Sequence, residues 1–410
     1  MADIPSPLDG ASNAPPTDGL APHPLLLIML QLAVLLVAAE ARMIVPLLPA
    51  IAADLHITIG AAGLLISAYA LPYGLFQLVY GPLADRFSRQ RVMGVALGLF
   101  ALGTVACGLA PSNDVLTIVR FCTGAAGAGV VPVALAYIAD LVPYEQRQAA
   151  LGRIISVASL GGVISAALGG IVATLVSWHA LFLGYGALAL LTALVLLQIP
   201  VRQARPAVPQ RVGLLAPYRA LIAQGGWRMV ALFGLVGFEG FAAISTLSYA
   251  GTLLAARDQL SYGAIGGLLM LNGVGTMLAA RMVGRMVGRL GEGGLVRLGG
   301  ALMALSYVLM ALSPTLVYFP LAMLLSGAGF ALAHSTLQTR ATELAPAQRG
   351  TAIALFAFAL LLGSGLGTFV AGQAIERVGF TPTLLGTALA LALFVAIAGP
   401  LLRHSRAQSV

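Results

Sequence analysis

Twelve apolar stretches, each long enough to cross a lipid bilayer, dominate this sequence. A hydrocarbon core about 30 Å thick needs roughly 20 apolar residues per helix. Only 9% of the residues are charged, and the mean hydropathy is +0.96. The apolar runs are continuous, which favours helices over the alternating pattern of a β-barrel. The sequence therefore predicts an all-α membrane protein of twelve transmembrane helices, near 24–49, 59–80, 92–110, 114–138, 149–174, 180–200, 227–251, 262–282, 295–313, 316–337, 350–373 and 380–402.

The arginines set the expected orientation. The chain has no lysine, and its arginines gather in the even-numbered connections and the C-terminal tail. The odd-numbered connections hold only Arg257 and Arg377. Because basic residues beside spans concentrate on the cytoplasmic side, both termini are predicted to be cytoplasmic. The high pI is thus a sign of topology, and no nucleic-acid binding is expected.

Weak internal repetition divides the chain into two halves. The connection at 81–91 is echoed at 284–291, and the connection at 140–147 is echoed at 343–349. Repeated halves with a site between them are typical of secondary transporters. The predicted organisation is a disordered cytoplasmic tail (1–23), an N-terminal six-helix bundle (24–200), a cytoplasmic connection (201–226), a C-terminal six-helix bundle (227–402) and a cytoplasmic tail (403–410).

Short motifs carry a family resemblance. The first span ends in a Pro-Leu-Leu-Pro sequence at 46–49, and Arg120 is followed by Gly124 and Gly127. With the connection between helices 2 and 3, these motifs resemble the major facilitator superfamily and its twelve-helix drug:proton antiporter branch. The resemblance implies two pseudo-symmetric bundles, alternating access, and a role for the helix 4 arginine in proton transfer. It also implies a conformational latch formed by Gly81, Asp85, Arg86, Arg89 and Arg91.

Ionisable residues inside the spans are the candidates for proton coupling. A central charge costs about 2.5–3.5 kcal/mol on insertion scales, so Glu40 and Glu239 must face protein or water, or be protonated. We predict that both couple transport to protons, together with Arg120, for which anchoring at the membrane interface is the alternative. Arg42 is two residues from Glu40 and does not share its helix face. It is expected to face another helix or the outer half of a cavity.

The family resemblance implies a cavity lined by helices 1, 4, 7 and 10. The side chains available there are mainly apolar and aromatic, which favours a lipophilic neutral or cationic substrate over a phosphate or a polyanion. His334 is expected to be a substrate contact or a proton carrier. The predicted substrate-binding residues are Gln31, Arg42, Tyr69, Tyr137, Phe238, Phe241, Ser245, Asn272, His334 and Gln338, with Tyr73 and Ser248 beside them.

These features predict a proton-coupled secondary transporter that exports small amphipathic, drug-like compounds. A sugar or nucleoside exporter, a proton symporter, and a membrane receptor or enzyme are the alternatives. The sequence has no metal-ligand cluster, no nucleophile elbow and no phosphate-binding loop. The expected partners are a small-molecule substrate, protons and the lipid bilayer, with no cofactor. We expect a monomer in the bacterial cytoplasmic (inner) membrane.

Overall fold

The structure, a computed structural model, describes residues 24–142, 144–200, 216–313, 316–345 and 348–403. Within these ranges twelve helices are long and apolar enough to cross a membrane, which confirms the predicted all-α class. In chain order α1 to α12 are Pro24–Asp54, Ile59–Ala84, Arg89–Gly108, Asn113–Leu141, Ala150–Leu175, Trp178–Gln198, Ala216–Asp258, Tyr262–Ala280, Val283–Leu312, Leu316–Glu343, Arg349–Val378 and Phe380–Ala398. The predicted tail 1–23, residues 404–410 of the predicted tail 403–410, and residues 201–215 of the connection lie outside the described residues.

Helix α7 is the least regular of the spans. Gly226 has a φ of 57°, so the chain breaks there between a short leading helix and the main span. Further along, a π-helical turn at Gly240–Ile244 and a 3₁₀ turn at Thr246–Tyr249 follow each other. Such changes of helical pitch disturb the backbone hydrogen bonds locally and are frequent at functional sites. The irregular part of α7 begins directly after Glu239.

The helix caps reveal the repeat between the two halves. His56 and Gln259 are the non-glycine residues with positive φ among those described, at 51° and 50°. Each stands two residues before a capping Thr58 or Ser261, whose side chain accepts from a backbone N–H in the first turn of α2 or α8. A hydroxyl cap satisfies an N–H group that would otherwise have no partner. The repeat therefore places Gly60 of α2 in register with Gly263 of α8.

Each half has its own apolar core. In the N-terminal half α1 packs against α5, α2 against α4, and α3 against α6. In the C-terminal half α7 packs against α11, α8 against α10, and α9 against α10 and α12. The halves meet mainly through two helix pairs, α2 with α11 and α5 with α8. A gap between the halves is therefore bounded by these two pairs.

The two halves approach each other most closely toward one end of the bundle. We call the end holding residues 54–60 and 257–263 the arginine-poor end, and the opposite one the arginine-rich end. At the arginine-poor end a Cβ added at Gly372 of α11 would lie 3.1 Å from Gly60 Cα, and one at Gly266 of α8 would lie 3.3 Å from Gly170 Cα. Small residues permit this approach without any hydrophobic driving force. Along these two helix pairs the gap is closed, while a cavity of about 560 Å³ lined by residues of both halves, among them Pro49, Thr174 and Tyr262, remains at this end.

Toward the arginine-rich end the same helices separate. Gly81 of α2 and Gly152 of α5 have no atom within 4 Å of where a Cβ would stand, and the same holds for Gly350 at the start of α11. The last close contact between α2 and α11 joins Gly74 to Leu361, where a Cβ would lie 3.0 Å from the leucine Cβ. The gap between the halves thus widens toward the arginine-rich end, where the Tyr218 hydroxyl of α7 still donates to the Leu78 carbonyl oxygen of α2 at 3.2 Å.

Candidate functional site

The N-terminal half encloses an ion pair between α1 and α4. Glu40 and Arg120 are both 0% exposed, and the guanidinium Nη1 donates to Glu40 Oε1. Arg120 Nε also donates to the Leu65 carbonyl oxygen of α2 at 3.3 Å. Arg120 is therefore buried inside the bundle, and the alternative of an interfacial anchor does not describe its position.

Tyr69 of α2 completes this buried cluster. The Arg120 Cζ atom lies 4.3 Å from the centre of the Tyr69 ring, within the range of a cation–π contact. Tyr69 also stacks with Tyr73 at 5.6 Å. Three buried atoms have no hydrogen-bond partner among the described residues, namely Glu40 Oε2, Arg120 Nη2 and the Tyr69 hydroxyl oxygen. The cluster is thus compensated in charge while its hydrogen bonds are only partly satisfied.

Gly124 explains how Arg120 reaches its partners. A Cβ at this position would lie 3.0 Å from the backbone Cα of Tyr69, so a larger residue would force α4 away from α2. One turn of helix separates Gly124 from Arg120, and both therefore point to the same side of α4. The glycine of the helix 4 motif lets α4 approach α2 closely, which places Arg120 against Leu65 and Tyr69.

The C-terminal half holds a second pair, between α7 and α10. Glu239 is 0% exposed and its Oε2 lies 3.3 Å from Nδ1 of His334, which is 21% exposed. The His334 ring stacks on Phe330 at 4.6 Å and meets the edge of Phe356 at 5.0 Å. Glu239 Oε1 is buried and has no hydrogen-bond partner among the described residues. This carboxyl is therefore paired with an imidazole ring that is held between two aromatic side chains.

The other predicted substrate residues fall into two groups. Gln31, Arg42, Phe241, Asn272 and Gln338 keep part of their side chains exposed. Four others make contacts within their own half: Tyr137 donates to Gln90 at 2.9 Å, Ser245 donates to the Phe241 carbonyl oxygen, Phe238 lies 6.5 Å from the Phe394 ring, and Tyr69 packs on Arg120.

The predicted latch residues lie at the arginine-rich end of α2 and α3. Arg89 pairs with Asp140 at 2.7 Å and donates to the Ala136 carbonyl oxygen at 2.6 Å, both in the same half. The adjacent Gln90 donates to Leu196 at 2.8 Å and is likewise bound within that half. Arg86, Arg91 and Gly81 are exposed, and the Asp85 side chain lies outside the described residues. In this conformation Arg89 ties α3 to α4.

Sequence reasoning missed two polar contacts at the arginine-poor end. The Gly60 N–H of α2 donates to Glu376 Oε1 of α11 at 2.9 Å. The Gly263 N–H of α8 donates to Thr174 Oγ1 of α5 at 3.0 Å. Glu376 follows Gly372 by four residues, as Thr174 follows Gly170, so the contacts are related by the repeat. Aligning the repeats on their Gly-x-x-x pattern would have suggested both.

A scan against protein-family models matches residues 30–368 to the Major Facilitator Superfamily. This chain is a member of that superfamily. Its fold and its two-bundle architecture are those of a transporter, and it is a multi-pass membrane protein and not an enzyme.

Two bacterial transporters illustrate the similarity of this chain to known proteins. It is 30% identical over 342 residues to the MFS-type transporter YceJ of Bacillus subtilis (strain 168), covering 82% of this chain and 85% of YceJ. It is also 30% identical over 269 residues to multidrug resistance protein D of Escherichia coli (strain K12), covering 63% of this chain and 65% of that protein. Both similarities extend across the two halves of the fold.

A solved structure shares the fold of this transporter. A bacterial homologue of the human lysosomal transporter Spinster, in an inward-facing and unoccupied conformation, superposes with a TM-score of 0.77. The sequence identity is 18%, and the match covers 93% of this chain and 98% of the other. At this identity the likeness describes the architecture and leaves the substrate open.

Proposed function

We propose that this MFS transporter is a proton-coupled exporter of small amphipathic compounds, acting as a monomer in a bacterial inner membrane. Both termini and the arginine-rich end would face the cytoplasm. The conformation described above would then be open to the cytoplasm and closed to the outside. Protons moving inward would drive the substrate outward by alternating access of the gap between the halves.

The enclosed Glu40–Arg120 pair is the observation that carries this proposal. Removing two charges from water is costly, and a buried ion pair is weak evidence for a purely stabilising role. Here several polar atoms of the pair lack partners as well. Buried, unsatisfied ionisable groups within membrane spans are by default candidates for a functional site. The pair lies beside α2, a helix that contacts the other half.

A proton on Glu40 would change the energy of this cluster. The neutral carboxyl no longer compensates Arg120, so a buried guanidinium would be left without its counter-charge. A conformation that brings Arg120 to water or to another partner would then gain in relative stability. Loading and unloading Glu40 from opposite sides is how the proton gradient would bias alternating access.

Transport driven by an imposed pH gradient tests the proposal. Purified protein is first screened by thermal shift against dyes, antibiotics, sugars and nucleosides, because a ligand that binds the folded state stabilises it. A stabilising compound is then offered to proteoliposomes with an acidic lumen. An antiporter of one proton per neutral substrate accumulates it about tenfold per pH unit.

The direction of the gradient separates the alternatives. Accumulation only when the outside is acidic would identify a symporter and contradict the proposal. Binding without counterflow of labelled substrate would identify a receptor. An ionophore that collapses the pH gradient is the control, since it must abolish accumulation without altering downhill exchange. The class of compound that stabilises the protein distinguishes drug-like substrates from sugars and nucleosides.

A further inference from the structure

One face of α1 is only partly covered by its own half. Its half-buried or exposed positions recur every three or four residues at Ile28, Gln31, Leu35, Ala38, Arg42, Val45 and Pro49. Where the halves touch, this face points at the other half, because a Cβ added at Gly251 of α7 would lie 3.3 Å from the Val45 carbonyl oxygen. Closer to the arginine-rich end, the same face must therefore border the gap between the halves.

Arg42 lies on this face, one turn before the closed end of the gap. Its side chain is exposed although it lies near the middle of the span. Among the described residues it has no hydrogen-bond or ion-pair partner. Glu40 points to the opposite side of α1 and is bound to Arg120. Arg42 therefore presents an uncompensated positive charge to the gap.

Among the described residues of α7, which faces Arg42 across the gap, no acidic side chain lies at the level of Arg42. Helices α1 and α7 run in the same direction, and Val45 lies beside Gly251. Counting back from this contact places Glu239 roughly nine residues, or about 14 Å, closer to the arginine-rich end than Arg42. Glu239 is in addition bound to His334. The α7 residue level with Arg42 is Ser248, whose hydroxyl donates to the carbonyl oxygen of Ile244.

Gly162 of α5 holds the Arg42 side chain in place. A Cβ added there would lie 3.0 Å from Arg42 Cδ, 3.3 Å from Nε and 3.6 Å from Cζ. The guanidinium thus rests on the bare backbone of α5, where any larger residue would displace it. Such seating distinguishes Arg42 from a flexible arginine that reaches the membrane surface.

We propose that Arg42 binds an anionic head group of the transported compound, so that the substrate is an amphipathic monoanion such as a carboxylate. This proposal rests on the proposed function, because it takes the gap between the halves to be the substrate cavity. A guanidinium stays charged and donates two parallel hydrogen bonds to a carboxylate. The flanking Leu35, Ala38 and Val45 provide an apolar surface for the rest of the molecule. The single charge revises the expectation of a neutral or cationic substrate.

Equilibrium binding of octanoate, octanol and octylamine at neutral pH tests this site. The three probes share an apolar chain and differ in charge. For wild-type protein in nanodiscs of phosphatidylcholine, octanoate should bind at least tenfold more tightly than the other two. Arg42→Gln should remove this preference, and Arg42→Lys should retain part of it. Equal binding of the three probes, or an unchanged preference in Arg42→Gln, would overturn the proposal.

A second variant leaves the arginine in place. Gly162→Leu should displace the guanidinium and weaken octanoate binding as Arg42→Gln does, with octanol binding unaltered. Gly184→Leu is the matched control, because Gly184 has no atom within 4 Å of its Cβ position. Equal octanoate affinity in Gly162→Leu and the control would contradict the site. Binding needs no gradient, so these results are separate from a failure of proton coupling.

The anion has two possible sources, which a change of lipid distinguishes. Nanodiscs containing phosphatidylglycerol present an anionic lipid head group that competes for the site if Arg42 is reached from the bilayer. Competition with octanoate in the wild type, absent in Arg42→Gln, would assign the site to a lipid anion. No competition would assign it to an anion from water. Both results support an anion site, whereas competition that persists in Arg42→Gln would contradict it.

Discussion

The two halves of this transporter bury their glutamates in different surroundings. Glu40 is paired with a guanidinium that is permanently charged, and the pair is sealed from solvent. Glu239 is paired with an imidazole that is partly exposed and stacked on Phe330. In the N-terminal half a proton changes the net charge of the pair from zero to +1. In the C-terminal half the partner carries no fixed charge, so this argument applies to the Glu40–Arg120 pair alone.

The two glutamates also differ in depth. Gly60 and Gly263 occupy equivalent positions in the repeat. Glu40 lies 20 residues before Gly60, whereas Glu239 lies 24 residues before Gly263. A difference of four residues is about one helical turn, or roughly 6 Å. Glu239 is thus closer to the open, arginine-rich end of the gap. The two glutamates therefore do not occupy equivalent positions in the repeat.

Arg120→Gln is expected to have the largest effect, because it leaves Glu40 buried without a cation. Breaking a buried pair in this way costs about 3–5 kcal/mol. His334→Gln removes a partly exposed, stacked partner and should cost roughly 1–2 kcal/mol. Equilibrium unfolding by titration with SDS compares the two variants. The double variant Glu40→Gln/Arg120→Gln should recover part of the loss, and equal losses for both halves would contradict the comparison.

Glu40→Gln should have the next largest effect, on coupling. It resembles a permanently protonated acid, so uphill transport driven by pH should be abolished while substrate binding and downhill exchange remain measurable. Glu239→Gln should reduce coupling less and change the range of substrates more, because Phe238 and Phe241 are its neighbours. Accumulation and exchange in proteoliposomes measure both effects. If both variants concentrate substrate as well as the wild type, neither glutamate carries the proton.

The spans and their order followed from the sequence, whereas the pairings did not. Continuous apolar runs specify helices in lipid, since the backbone must satisfy its own hydrogen bonds. That Arg120 lies against Leu65 and Tyr69 depends on how closely α4 approaches α2, and Gly124 permits this approach. The sequence showed Gly124 as part of a motif, but it did not show that Gly124 would pack against the backbone of Tyr69. The break at Gly226 and the π turn after Glu239 also depend on packing between helices.

At the arginine-poor end, the two contacts between the halves differ in the charge of their hydrogen-bond acceptors, Glu376 and Thr174. Both accept from the backbone N–H of a glycine in the first turn of a helix belonging to the other half. A helix N-terminus carries a partial positive charge, so a carboxylate there contributes about 0.3–1 kcal/mol beyond a neutral acceptor. The α2–α11 contact should therefore be held more strongly than the α5–α8 contact by this margin.

Glu376→Gln should accordingly have the smallest effect. The amide keeps a hydrogen-bond acceptor and loses the charge, so the closed state should lose at most about 1 kcal/mol, or roughly a fivefold change in population. Spin labels at Leu109 and Val317, both exposed at the arginine-poor end, report the separation of the halves there. The fraction of molecules with a long distance between the two labels should be larger in Glu376→Gln than in Thr174→Ser. The serine variant is the control, because it keeps a neutral hydrogen-bond acceptor. Equal distance distributions would show that the charge of Glu376 does not hold the halves together, and would leave close glycine packing to keep this end shut.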